Sequence, residues 1–238
     1  MKLFKITPVW MLLCICIAGC SSRDDRGGNL TEEQNRAKTQ LESQMKAVTE
    51  TNRTYHAMDN AALLQKLMEQ SKAQQEPFNS LAYRELKTRK DVDAKALGAL
   101  VKENANAAGL LPLLLLRKLD NPSYLQVPAE NQAKILTDAL QASKYFNTWG
   151  LPNFYLEDAS RALIESGKSA VPALKRMLSE TRPAPVFGGQ EYMVYKRYNY
   201  RLCDYALVLL EEIEGNAEFK LPPNVADRDS EIKKMSAK

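Results

Sequence analysis

The stretch that decides the fold reads Leu110-Leu111-Pro112-Leu113-Leu114-Leu115-Leu116, closed by Arg117-Lys118-Leu119-Asp120-Asn121-Pro122. A seven-residue run broken only by proline has the length and apolarity of a central strand. Pro112 argues against a strand, because it would remove a ladder donor from the middle of it. In the first turn of a helix its missing N–H is harmless, so the run predicts a buried helix that ends at the Asp-Asn-Pro turn. Upstream, Asn60 can cap a helix carrying Leu63, Leu64, Leu67 and Met68, Glu76-Pro77 opens another with Leu81 and Leu86, and Asp91-Val92-Asp93 leads into Leu97, Leu100 and Val101. Downstream, Ala133, Leu136, Ala139 and Leu140 share one face of a helix over 129–142. A helix with Leu156, Ala159, Leu163 and Ile164 ends at Gly167, and Ser169 is placed to cap a successor over 170–178. The last strong helix runs over 200–214, with Cys203, Ala206, Leu207, Leu210 and Ile213 inward and Arg201, Asp204, Glu211 and Glu212 outward. Gly215 ends it. Period-2 alternation is almost absent, so the expected class is all-α.

The 238 residues are 45% hydrophobic and 26% charged, which excludes wholesale disorder and a collagen-like fibre. The formal charge of +4 is too small to signal nucleic-acid binding. Discounting Lys2 and Lys5 roughly halves it, since both lie in what reads as a leader: a basic head, Met1 to Lys5, then the apolar stretch Pro8 to Gly19. That stretch is too short to cross a bilayer, which takes about 20 residues, and has the length of a signal-peptide h-region. Residues 1–19 are therefore expected to be a signal peptide and 20–30 a polar tether. Thr31-Glu32-Glu33-Gln34 has capping-box spacing and starts a thinly amphipathic helix over 31–57, with Leu41, Met45 and Val48 on its narrow apolar side. Residues 216–238, with Pro222-Pro223 and many charges, are expected to be a mostly disordered tail.

Ile17-Ala18-Gly19-Cys20 resembles the lipobox of bacterial lipoproteins. The resemblance implies cleavage between Gly19 and Cys20, a diacylglycerol thioether on Cys20, acylation of the new amino terminus, and the bilayer as a partner through Cys20. Each buried methylene contributes about 0.8 kcal/mol, so one acyl chain holds marginally and two or three hold stably. Ser21, where Asp would resemble an inner-membrane retention signal, implies the outer membrane, facing the periplasm. Cys14 and Cys16 would leave with the leader and Cys20 would carry lipid. Cys203 then remains, in an apolar helical pattern, as a buried and inert thiol.

Two stretches resemble HEAT-type helical repeats. Leu110 to Pro122 looks like a first helix with its Asp/Pro turn, and 129–142 like its second helix. Ala159 to Gly167 looks like the end of a second helix, Ala170-Val171-Pro172-Ala173-Leu174 to Leu178 like the next first helix, and Arg201 to Leu207 like its partner. The resemblance implies a HEAT-like α-α superhelix over 58–215, a right-handed stack of helical hairpins that bury one another's apolar faces. One departure stands out: roughly twenty residues, from Ser179 to Tyr198, occupy the place of a tight turn.

Chemistry-bearing motifs are scarce. His56 has no Cys or carboxylate set around it to make a structural zinc site. Glu157-Asp158 and Glu211-Glu212 are adjacent pairs that diverge by about 100° on a helix and read as solvated faces. No metal, cofactor or nucleic acid is expected. The unusual stretch is Phe187 to Arg201, which holds four tyrosines, Met193 and three cations after Gly188-Gly189. Tyr192, Tyr195, Lys196, Arg197 and Tyr198 are the candidate partner-binding residues, because aromatics interleaved with cations grip partner surfaces and sugars. The alternative is that the tyrosines pack on the helices with their hydroxyls in water. Partial burial is expected, with Tyr195 projecting furthest. Tyr145, Phe146 and Trp149 form a second aromatic group, expected to staple a helix junction. Two functions follow: an anchored helical scaffold that binds an envelope protein, or an envelope enzyme or peptidoglycan- or carbohydrate-binding module using 187–201. A cleft lined by convergent carboxylates beside that stretch would favour the second.

Overall fold

The computed structural model describes residues 32–216 and 218–237, and Gly19, Cys20 and the tether lie outside the described residues. The chain divides into two units at Val48/Thr49. The described part of the first is helical and belongs to α1 (Glu32–Ala57), which buries no residue, as its sparse apolar stripe predicts.

Among its described residues the second unit is mostly helical, with one short hairpin. The chain enters α2 (Asn60–Lys72) through Asp59, whose carboxylate accepts the Ala62 N–H at 2.8 Å, so the cap lies one residue before Asn60. Ser80 caps α3 (Leu81–Leu86) and Asp93 caps α4 (Ala94–Glu103). Next comes α5 (Leu110–Leu119), with Pro112 in its first turn and Leu111 to Leu116 all buried. Each such leucine contributes about 2 kcal/mol by leaving water, which makes this helix the centre of its half of the core. Asp120 ends it and then caps α6 (Asn121–Leu125), accepting the Ser123 hydroxyl at 2.6 Å. The next helix, α7 (Ala129–Ala142), coincides with the predicted span, and α5 lies against α2, α4, α6 and α7.

A 3-10 turn, Asn147–Trp149, leads into the hairpin of β1 (Gly150–Leu151) and β2 (Tyr155–Leu156). Gly150 adopts φ 87°, and a Cβ there would sit 2.4 Å from the Tyr155 carbonyl, so only glycine fits. Beyond it, α8 (Asp158–Glu165) is followed by α9 (Val171–Met177), which starts at Ala170 without a side-chain cap; Ser169 lies in the preceding 3-10 turn. The last three helices are α10 (Gly189–Tyr198), α11 (Leu202–Ile213) and α12 (Val225–Ala237).

Two expectations need correction here. The expected disordered tail, 216–238, instead carries a helix over Val225–Ala237: α12 packs on α11 and buries Arg228 and Met235. Consequently α11 has little outer face, and every residue from Leu202 to Glu211 is buried, Asp204 and Glu211 among them. Asp204, expected in solvent, is fully buried. A charge cannot stay there unpaired, and Arg228 and Arg201 both reach it, Arg201 Nη2 at 2.9 Å.

Candidate functional site

The segment from Ser179 to Tyr198 is zipped at its base. Ala184 N–H donates to Tyr200 O at 2.8 Å, Leu202 N–H to Arg182 O at 3.0 Å and Cys203 N–H to Glu180 O at 3.0 Å. Asn147 holds the next rung, donating from Nδ2 to Phe187 O at 2.7 Å and accepting Phe187 N–H at 3.0 Å. Ala184 and Val186 are buried. The apex is α10, entered through Gly188 at φ 110° and ended by Asn199 in the left-handed region at φ 49°. Glu191 in its first turn and Lys196 and Arg197 in its last complement the helix dipole.

Helical period sorts the side chains of α10 into two stripes. Glu191, Val194, Tyr195 and Tyr198, spaced i, i+3, i+4, i+7, are half-buried, while Tyr192, Met193, Lys196 and Arg197 face solvent. Tyr192 is 45% and Met193 68% exposed. The expectation that Tyr195 projects furthest is therefore wrong by three residues, just under one helical turn: Tyr195 shares the inner stripe with Val194, and Tyr192 projects instead. Tyr198 stacks on Tyr200 with ring centroids 5.4 Å apart and planes 6° apart. The Lys196 ammonium lies 5.9 Å from the Tyr192 ring and the Arg197 guanidinium 5.7 Å from the Tyr198 ring. Of the five nominated residues, Tyr192, Lys196 and Arg197 form one exposed face, and Tyr195 and Tyr198 attach the helix to the body.

Two exposed aromatic residues of the neighbouring hairpin escaped the sequence reading. Phe154, at the hairpin tip, is 53% exposed and meets the Tyr198 ring edge-on at 5.9 Å. Tyr155 is also exposed, and its phenol titrates above its ordinary range through burial first, then the charges of Glu191 and Glu157. The signal was Gly150-Leu151-Pro152-Asn153, a turn composition that returns the chain on itself. Tyr200 donates its hydroxyl to Pro152 O at 2.9 Å and Tyr205 to Gly150 O at 2.8 Å. Asn153 exchanges two 2.7 Å bonds with the Leu221 backbone.

The C-terminal helix braces the same surface. Arg228 pairs with Asp204 and donates from Nη2 to Tyr198 O, the last turn of α10, at 2.7 Å. Arg201 pairs with Asp204 and, at 2.8 Å, with Asp229. Burial alone would lower the Arg201 pKa, but its bonds to Asp204 and Asp229 prevail and raise it.

The remaining candidates are structural. Cys203 is buried, and burial, then the Asp204 charge, pushes its thiol up to about 11. His56 Nδ1 lies 3.0 Å from Glu85. Phe146 and Trp149 are fully buried, while Tyr145 is exposed. Of the carboxylate pairs, Glu157 and Asp158 stay exposed, but Glu211 is buried and accepts from Asn216 Nδ2 at 2.7 Å. Among the described residues no group of His, Cys, Asp and Glu could hold a metal ion, and no helix is long and apolar enough to cross a membrane. Comparison with protein families, curated proteins and solved structures finds no match to this chain.

The exposed stripe of α10, Tyr192, Met193, Lys196 and Arg197, brings apolar and aromatic area together with two cations, while Phe154 of the hairpin meets the other stripe of α10 through Tyr198. Its chemistry is that of a contact face: aromatic anchors that lose little entropy on docking, beside charges that orient the partner.

Proposed function

We propose that this chain is a lipid-anchored protein of the bacterial envelope, held in the outer membrane through acylated Cys20, whose helical body displays the outward face of α10 to a protein partner in the periplasm. The observation that carries the binding role is the split of α10 into an attached stripe and an exposed aromatic–cationic stripe. Its zipped base and the Arg228 brace support a preorganised face, which reduces the ordering cost of association. A HEAT-like stack is supported by the succession of short helices around α5 and around α11, each leaving an apolar side for its neighbour. The anchor rests on the Ile17-Ala18-Gly19-Cys20 resemblance.

Two measurements test the proposal. Intact-mass analysis of Cys20→Ala in the native host should show an unlipidated, unprocessed chain beside a lipidated, shortened wild type. A wild type that retains Met1 and no lipid overturns the anchor. A photocrosslinker at position 192 or 193 should give discrete protein adducts in the intact envelope, and these should vanish with Lys196→Glu plus Arg197→Glu. Adducts indifferent to that charge reversal, or retention of the protein on purified peptidoglycan abolished by Tyr192→Ser, would overturn the protein-binding assignment. Tyr192→Ser with Met193→Ser should change stability by no more than about 0.5 kcal/mol each, because both side chains are exposed.

A further inference from the structure

We infer that α12 is a hinged clasp that governs the outward face of α10 through the Arg228 guanidinium. The inner stripe of α12 is sparse. Arg228, Ile232 and Met235, spaced i, i+4, i+7, turn towards the body, and of these only Arg228 and Met235 are buried. The helix beneath, α11, buries every residue from Leu202 to Glu211. An element with so little buried area is among the first to open locally. A hinge lies at its root: Asn153 holds the Leu221 backbone by two 2.7 Å bonds, so α12 can swing about residues 222–224 while Leu221 stays attached.

One guanidinium spans three elements. Arg228 Nη1 pairs with Asp204 of α11, Nη2 donates to the Tyr198 carbonyl of α10 at 2.7 Å, and Nε donates to Asn224 O, at the root of α12, at 3.3 Å. The Tyr198 carbonyl is one of the last four of its helix, which have no intrahelical partner, and a cation there also suits the helix dipole. Arg228 therefore caps α10 from 30 residues away. A second tie crosses the first: Arg201, in the link between α10 and α11, reaches Asp204 at 2.9 Å and Asp229 of α12 at 2.8 Å. Adjacent α12 residues of opposite charge thus take opposite partners, which fixes the register of the helix.

A helix that served only to cover α11 would present apolar side chains to it. A buried ion pair holds no better than well-packed apolar residues of similar volume, and its best-attested use is to set register or to act in a switch. Here the pair supplies what a leucine would not, a donor for α10. With α12 seated, the last turn of α10 is capped, and Lys196 and Arg197 of that turn are held in place. With α12 swung away, the Tyr198 carbonyl loses its donor and the turn frays, because α10 buries no residue of its own. Seating of α12 and occupation of the α10 face then favour one another by the same factor, since a coupling free energy acts in both directions. The control of binding rests on the reading of that face as a partner surface, whereas the clasp itself needs no partner.

Amide hydrogen exchange of the full chain, compared at equal pH and temperature, tests the clasp. In wild type, 225–237 should exchange faster than 202–213. Met235 is 1% exposed, so Met235→Asp puts a charge into an apolar seat and should release α12. Exchange over 195–199, the last turn of α10, should then quicken about tenfold, as expected for losing a hydrogen bond to a charged donor. Segments 110–119 and 129–142 should be unchanged, which verifies that the body is folded. Arg228→Leu with Asp204→Asn should separate the two effects: α12 stays protected by apolar contact, while 195–199 quickens to the same extent. Crosslinking from position 192 should fall in both variants. An α10 indifferent to both variants, or an α12 that exchanges as slowly as α11 in wild type, overturns the clasp. Undiminished crosslinks in Met235→Asp overturn its control of binding. If wild type itself gives no crosslinks, the partner reading fails, and the clasp is still decided by exchange.

Discussion

Replacing Arg228 with Leu asks whether the last helix belongs to the fold. Arg228 is 1% exposed and its partner Asp204 is fully buried. Removing one member of a buried ion pair costs about 3–5 kcal/mol, because the other charge remains stranded. Here Asp204 keeps Arg201, which contacts it through both the guanidinium and the backbone N–H at 2.9 Å, so the lower end of that range applies. The Tyr198 carbonyl also loses its 2.7 Å donor, which adds about 1 kcal/mol. A loss of about 4 kcal/mol corresponds to a fall in Tm of roughly 10 °C for a domain of this size. Urea unfolding followed by far-UV circular dichroism should compare wild type, Arg228→Leu, Asp204→Asn and the double variant. The double variant should be at least about 1.5 kcal/mol more stable than the sum of the single losses predicts, since it leaves no charge unpaired. A loss below about 1 kcal/mol for Arg228→Leu, or strict additivity, would refute the reasoning and return residues 225–237 to a solvated tail.

Glu76 should make stability pH-dependent. Its carboxyl titrates near 8 when folded against about 4.5 when unfolded, so between those values the unfolded chain releases a proton that the folded chain keeps. Stability then falls as pH rises, with a limiting slope of about 1.4 kcal/mol per pH unit, and levels off above 8. Glu76→Gln should remove that slope and exceed wild type by about 2–4 kcal/mol at pH 8; equal urea midpoints at that pH would contradict it. Leu207 and Leu210 are fully buried on α11, and truncating either to Ala should cost about 2–5 kcal/mol in the same urea assay. Losses under about 1 kcal/mol at both would contradict the core assignment.

Local chemistry was legible wherever it acted alone. Pro112 excluded a strand from local geometry, the apolar spacing over 129–142 matched α7, and Cys203 read as buried because its neighbours were apolar at helical period. The same 3.6-residue period, applied to Glu191-Tyr192-Met193-Val194-Tyr195, would have placed Tyr192 outward and Tyr195 inward. The hairpin at Gly150 was signalled by its turn residues, but two-residue strands are too short to show alternation.

What the sequence by itself determined is the all-α class, most helix positions, the buried thiol and the location of the candidate face, because caps, proline constraints and apolar periodicity are properties of neighbouring residues. Only the tertiary structure decided the fate of Asp204 and Arg228, which lie 24 residues apart and read singly as solvent-facing charges. It also decided that α12 is ordered, since its polar sequence is held by a partner charge buried elsewhere and by the core that receives Met235. The burial of the Glu76 carboxyl belongs to the same class. A carboxyl's environment depends on which distant elements close around it, and no local pattern encodes that closure.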